Sequence, residues 1–266
     1  MRWLAGLLAL CLWVLPVQAE EKVDRLLRAL QLDQVIDILQ DEGTTLGADV
    51  QEVFLENKGG PVFLAEVERI YDAEFMHDQI RDVFQDTLTE TQLDRAILFF
   101  ESDLGQTITS LEISARAALA DETIEEMAED AYKNGDRSSE TYRLVDEYIQ
   151  INNLVDENVK NSISADFHFF RGMSQGIGAD EEELLAQLLD QKDRITEDTE
   201  TWLYSFFLLA YRPLEDAEMR ENIAFSRTET GKAINHALFE SFDRMFDVIY
   251  FQLGQAVAGV LKSSEL

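Results

Sequence analysis

Cysteine is almost missing from this chain of 266 residues. The one copy, Cys11, stands in an apolar N-terminal stretch, so the body of the protein has no disulfide framework, thiol nucleophile or thiolate metal site. Proline is nearly as scarce, with three in all, and no low-complexity segment or long linker interrupts the chain, which argues against disorder. Basic side chains are few: Lys and Arg total 22 against 53 Asp and Glu, a formal net charge of −31. Nucleic acid binding needs a basic footprint, and anionic lipid repels a polyanion, so nucleic acid and stable membrane anchoring are both excluded from the expected partners. Long apolar runs are wanting beyond the N-terminus. "WLYSFFLLAY" at 202–211 is ten residues, where a bilayer needs about 20.

What is there begins with "MRWLAGLLALCLWVLPVQA", residues 1–19. One charge at Arg2, an apolar run from Trp3 to Leu15 and a small-residue ending at Val17-Gln18-Ala19 predict a cleaved secretory signal and a periplasmic protein. Leu10 precedes Cys11 where a lipoprotein signal wants a small residue, so lipidation is not expected.

With 46% hydrophobic residues the chain can bury a large core, and its apolar positions recur almost everywhere at helical spacing. "NKGGP" at 57–61 breaks the chain and offers Pro61 as the start of a new helix. Asp72 is placed to cap a helix through Phe84, and Thr89 with Gln92 has capping-box spacing. Leu104, Ile108, Leu111, Ala115 and Ala118 share one face from Asp103 onward. Further helices are predicted near 121–134, 141–152, 154–174, 180–194, 196–211, 215–227 and 228–261. The last carries Ile234, Leu238, Phe242, Met245, Ile249, Leu253, Val257 and Val260 along one stripe. The fold class is all-α, a multi-helix body.

Residues 88–112 lie on 214–238 without a gap, matching Leu88 to Leu214, Ile97 to Ile223, Phe99 to Phe225, Gly105 to Gly231 and Ile108 to Ile234. Upstream, "LQLDQVID" at 30–37 resembles "IQINNLVD" at 149–156. These echoes predict an internal repeat: two related helical units, 20–138 and 139–266, parted near "NGDRSSE" at 134–140. Each contains a corner. Ser102 and Thr228 are expected to cap the next helix, Asp103 and Glu229 to sit at its positive end, and Gly105 and Gly231 to give room for the preceding helix.

Reactive constellations are not evident. The histidines, at 77, 168 and 236, stand apart, and none forms H-E-x-x-H. His168, between Phe167 and Phe169, and His236, among Ala237, Leu238 and Phe239, are expected to be partly buried. The acidic runs at 121–130 and 180–185 suit solvated helix faces, and the glycine-rich "GMSQGIGAD" at 172–180 lacks the preceding strand and following lysine of a phosphate loop. Glu112/Arg116 and Glu240/Arg244 are spaced as surface i,i+4 pairs. No catalytic, metal or cofactor-binding residue is expected.

The corner "FFESDLGQ", with its second copy "FSRTETGK", resembles the bacterial exported family called domain of unknown function 2059. That family joins two helices by an F-Y-x-S-P-x-G-K type motif. Here Asp103-Leu104 follows the serine where proline would continue it, Gln106 replaces the lysine, and the second copy keeps Lys232. The resemblance implies an exported helical fold with no established activity and transfers no catalytic residue.

These readings predict a non-enzymatic interaction or binding module of the bacterial envelope, with a protein partner or an apolar ligand. A carrier with an apolar cavity and a carboxylate-based hydrolase are the alternatives. Convergent buried carboxylates would favour the hydrolase, an open apolar cavity the carrier, and a flat exposed apolar patch a protein partner.

Overall fold

A computed structural model of the chain describes residues 14–175 and 180–264, and these form an all-helical body. The expected signal falls mostly outside the described residues, as does the centre of the glycine-rich loop. The order is α1 (Val14–Ala29), α2 (Leu32–Leu55), α3 (Gly60–Ile70), α4 (Ala73–Thr87), α5 (Glu90–Phe100), α6 (Asp103–Leu119), α7 (Glu122–Asn134), α8 (Glu140–Ile151), α9 (Leu154–Met173), α10 (Glu181–Leu189), α11 (Lys192–Ala210), α12 (Asp216–Ser226) and α13 (Glu229–Ser264).

Local chemistry sets most of the boundaries. Pro61 lies in the first turn of α3, where its missing N–H costs nothing. Asp72 accepts a hydrogen bond from the Phe75 amide at the start of α4, and Thr89 and Gln92 form a reciprocal capping box at the start of α5. Asp121, Ser139 and Asp180 cap α7, α8 and α10 in the same way. Three joints use left-handed residues: Gln31 (φ 55°) between α1 and α2, Glu56 (φ 48°) and Asn57 (φ 62°) between α2 and α3, and Asn153 (φ 52°) between α8 and α9. The break expected near residue 195 lies instead at Asp190 and Gln191, because Ile195 is drawn into the buried face of α11. On α6 the buried side is turned from the expected one: Gly105, Ile108, Thr109, Ala115 and Leu119 face inward, whereas Leu111 and Ala118 are half-buried.

Packing interleaves the two halves. The larger hydrophobic cluster joins Val23 and Leu26 of α1, Phe63 of α3, Phe84 of α4 and Leu93 of α5 to Met245, Ile249, Leu253 and Val257 of α13. The second joins Ile108 and Leu119 of α6 and Tyr132 of α7 to Leu144 and Ile149 of α8, Phe206 and Tyr211 from α11 and its end, and Ile223 of α12. Thus α13 packs on α4 while α6 packs on α11, each crossing to the other half of the chain. At about 1.5 Å per residue α13 is about 54 Å long, and it is buried along one side by α9. There the backbones nearly touch: a Cβ on Gly172 would lie 2.1 Å from the Phe251 carbonyl oxygen, and one on Gly254 2.0 Å from that of Phe169. No helix among the described residues is long and apolar enough to cross a membrane.

Candidate functional site

The two corners have the same geometry atom for atom. Ser102 Oγ accepts from the Gly105 amide at 3.1 Å and donates to the Phe99 carbonyl at 2.6 Å. Thr228 Oγ1 accepts from the Gly231 amide at 3.0 Å and donates to the Phe225 carbonyl at 2.7 Å. A Cβ on Gly105 would stand 2.1 Å from the Phe99 carbonyl oxygen and 2.7 Å from the Phe100 Cα; on Gly231 the distances are 2.3 Å to Phe225 and 2.7 Å to the Ser226 Cα. Real Cβ atoms do not approach backbone so closely, so a side chain there forces the two helices apart. Ser102, Asp103, Thr228 and Glu229 lie on the exposed rim, where Glu229 pairs with Lys232 at 3.1 Å, and the glycines lie beneath.

Gln106, which takes the place of the motif's lysine, donates through Nε2 to the carbonyls of Ala29 at 2.8 Å and Phe100 at 2.6 Å. Those are open carbonyls at the ends of α1 and α5, so one amide closes two helix ends. Near the second corner Asn235 donates to the Asn152 carbonyl at 3.0 Å, closing the end of α8.

Beside the corners is a half-open cavity of about 250 Å³. Its walls are mainly apolar: Leu27 of α1, Leu30 just after it, Phe100, Ile108, Phe225 and Leu238 among them. Gly231 lines it, so the second corner forms part of the wall, while the capping hydroxyls and acids of both corners remain outside.

One acid projects into it. Glu112 of α6 lines the cavity and accepts a short hydrogen bond from the phenol of Tyr211. Glu112 is half-buried, and burial, partly opposed by the Tyr211 bond, pushes its carboxyl up to about 7. Tyr211 is 2% exposed, and burial together with the Glu112 charge raises its phenol far above the usual range. Tyr148, edge-on to Tyr211 at 5.5 Å between ring centroids, is raised by the same two causes. Asn222 reaches the Tyr211 oxygen at 3.5 Å.

The expected surface pair of Glu112 and Arg116 is therefore corrected. Arg116 turns to Glu42 of α2 and holds it with two hydrogen bonds at 2.8 and 2.7 Å, leaving Glu112 to the tyrosine. Glu240 and Arg244 do pair, at 2.8 Å. The missed signal was positional: Ile108, Glu112, Ala115 and Leu119 follow each other at spacings of four, three and four, so the acid interrupts a buried stripe.

A second polar group gathers where α9 meets α13. Ser164 donates to Asp247 Oδ1 at 2.7 Å, and His168 Nε2 lies 3.3 Å from Asp247 Oδ2. Serine and histidine both serve the aspartate, and histidine is not hydrogen-bonded to serine, so this is not a nucleophile arrangement. His168 is half-buried as expected, whereas His236 is exposed. Of the aromatic run, Phe206 lines the cavity, Tyr204 and Phe207 are core, and Trp202 is half-buried. Among the described residues no three His, Cys, Asp or Glu side chains gather as a metal site would require.

Residues 74–133 match the family described as an uncharacterized protein conserved in bacteria, DUF2059. The DUF2059 match runs from α4 to the end of α7 and contains the first corner, Glu112 and Arg116. The second corner, at 225–232, lies outside the DUF2059 segment. No curated protein and no solved structure matches the chain.

Proposed function

We propose that the protein is an exported, non-enzymatic binding module made of two copies of one six-helix unit, and that the cavity between the copies holds a small apolar ligand. Several independent features support the two copies. With α7 as a link, α1–α6 and α8–α13 run in the same order, and α5 and α12 are both 11 residues long. Gln31 and Asn153 put the same left-handed joint after the first helix of each copy, which moves the upstream register by three residues from the sequence echo. Ion pairs recur with their signs exchanged: Arg25 with Glu101 between α1 and α5, Glu147 with Arg227 between α8 and α12.

The observation that carries the function is the cavity itself: apolar walls, a half-open mouth and a few convergent polar groups are what a small-ligand site needs. Exposed apolar side chains favour this over a flat docking face, since the most exposed, Val53, Val62, Leu98 and Met127, belong to four different helices, α2, α3, α5 and α7. A hydrolase of the carboxylate type would use two acids. Glu112 has Tyr211 and Tyr148 as its neighbours, phenols held protonated, and the nearby Glu42 is occupied by Arg116. Export to the periplasm rests on the leader at 1–19 and predicts Glu20 as the first residue of the secreted chain, which N-terminal sequencing reads.

Thermal melting with a neutral apolar probe tests the binding reading. Toluene at millimolar concentration is expected to raise the melting temperature, because a ligand that binds only the folded state stabilises it. Leu238→Trp, which fills the cavity, should abolish that shift while the variant still folds. No shift with the wild-type protein, or an equal shift with the filled variant, refutes the reading.

A further inference from the structure

We infer that the ligand is an organic cation, a small apolar body bearing one ammonium group, and that Glu112 is the group that receives it. The inference rests on the binding reading above and adds the chemistry of the ligand. Among the described residues Glu112 is the only acid on the cavity wall, and only one of its oxygens accepts a hydrogen bond from them, through the phenol of Tyr211. Its second oxygen accepts no hydrogen bond from the described residues and is left open toward a cavity whose walls are mainly apolar. A carboxylate in such a place is expensive unless a cation joins it.

The described residues do not supply that cation. Arg116 is the only basic residue among them on the wall, and both of its hydrogen bonds go to Glu42. The groups facing Glu112 from the packed helices are otherwise Tyr211 at the end of α11, Tyr148 of α8 and Asn222 of α12, none of them positive. A ligand ammonium completes the site: it donates to the open carboxylate oxygen while Tyr211 holds the other, and its apolar body lies against Leu238 and Phe225. An anionic ligand would meet a like charge there. The whole chain, at −31, draws cations toward it from solution. The volume of about 250 Å³ is below the roughly 300–1,000 Å³ of drug-sized sites, so the body is a single ring or short branched chain.

Calorimetric titration with benzylamine, benzyl alcohol and toluene separates this inference from the reading beneath it, because the three differ mainly in the polar group. At about pH 8 benzylamine should bind roughly ten-fold or more tightly than benzyl alcohol. Its affinity should fall at about pH 5.5, where Glu112 is protonated, and near neutral pH its binding should release protons to the buffer. Glu112→Gln should remove the preference for the amine and keep binding of benzyl alcohol, which also shows that the variant is folded. If the alcohol and toluene bind as well as the amine, the cavity is a site for neutral apolar molecules and the cation is wrong. Benzylamine binding that is unchanged in Glu112→Gln, or that releases no proton, overturns it as well. If none of the three binds, both the inference and the binding reading fall.

Discussion

The rings of Phe99 and Phe225 are stacked with their centroids 3.8 Å apart and their planes within 2°. Each ring belongs to the last turn of the helix before its corner, and each residue's carbonyl accepts the capping hydroxyl of that corner. Phe100 also meets Phe225 edge-on at 5.5 Å, so the corners meet back to back and a disturbance at one is transmitted to the other through these rings.

That contact gives the first prediction. Gly105→Ala and Gly231→Ala should each lower stability by about 1–3 kcal/mol, since the new methyl meets backbone rather than a side chain that can move. The two changes together should depart from additivity, by about 0.5 kcal/mol or more, because they press on one stack. Gly259→Ala is the control. Nothing lies within 4 Å of its Cβ position, so the better helix former should raise stability by up to about 1 kcal/mol. Chemical denaturation of the four variants measures this.

The crossing of α9 and α13 should be less forgiving. Gly172 and Gly254 each face the backbone of the opposite helix, and neither helix can yield without separating a long apolar seam. Gly254→Ala is expected to destabilise by about 3 kcal/mol or more and to broaden the unfolding transition. A loss smaller than that of the corner variants would mean that α13 slides along α9.

Glu112 should make stability depend on pH in an unusual direction for an acid. Its folded-state value, about 7, is above the ordinary 4.5, so between those limits the native state holds a proton that the unfolded chain has released. Stability contributed at this site is thus complete below about 4.5 and is lost as pH rises through 7. At about 1.4 kcal/mol per pH unit the loss is of the order of 3 kcal/mol. Glu112→Gln should abolish this dependence and leave the variant more stable than the wild-type protein at about pH 8. Urea unfolding of both at several pH values reads the difference, which cancels the contribution of the other acids.

Exchanged charges make a fourth test. Arg227→Glu places an acid beside Glu147, and Glu147→Arg in the same chain restores the pair in the orientation used by Arg25 and Glu101. Both groups are on the surface, so the single change should cost less than about 1 kcal/mol, and the double change should recover it. A double-mutant cycle by thermal melting shows whether the interaction is there.

The corners were legible because they are local. A hydroxyl, an acid and a glycine within four residues act on their own helix end, and spacing alone tells which amide the hydroxyl meets. The face of α13 was legible for the same reason: Met245, Ile249, Leu253 and Val257 repeat every four residues and are buried as a stripe. His236 and Arg116 differ from expectation because cover and partners are decided by other helices: His236 is left exposed, and Arg116 is met from α2. Spacing offered Arg116 a partner four residues away, but Glu42, 74 residues distant, presents both oxygens to the guanidinium.

By itself, then, the sequence determined the helices, their caps and the chemistry of each corner, since each depends on residues within a turn or two of one another. Only the tertiary structure decided that α6 and α13 cross into opposite halves, that Phe99 meets Phe225, and that Glu112 stands in a cavity beside Tyr211. The reason is physical: helical periodicity fixes which face of a helix seeks cover, while the neighbour that covers it is chosen by shape and by charges distant in the chain.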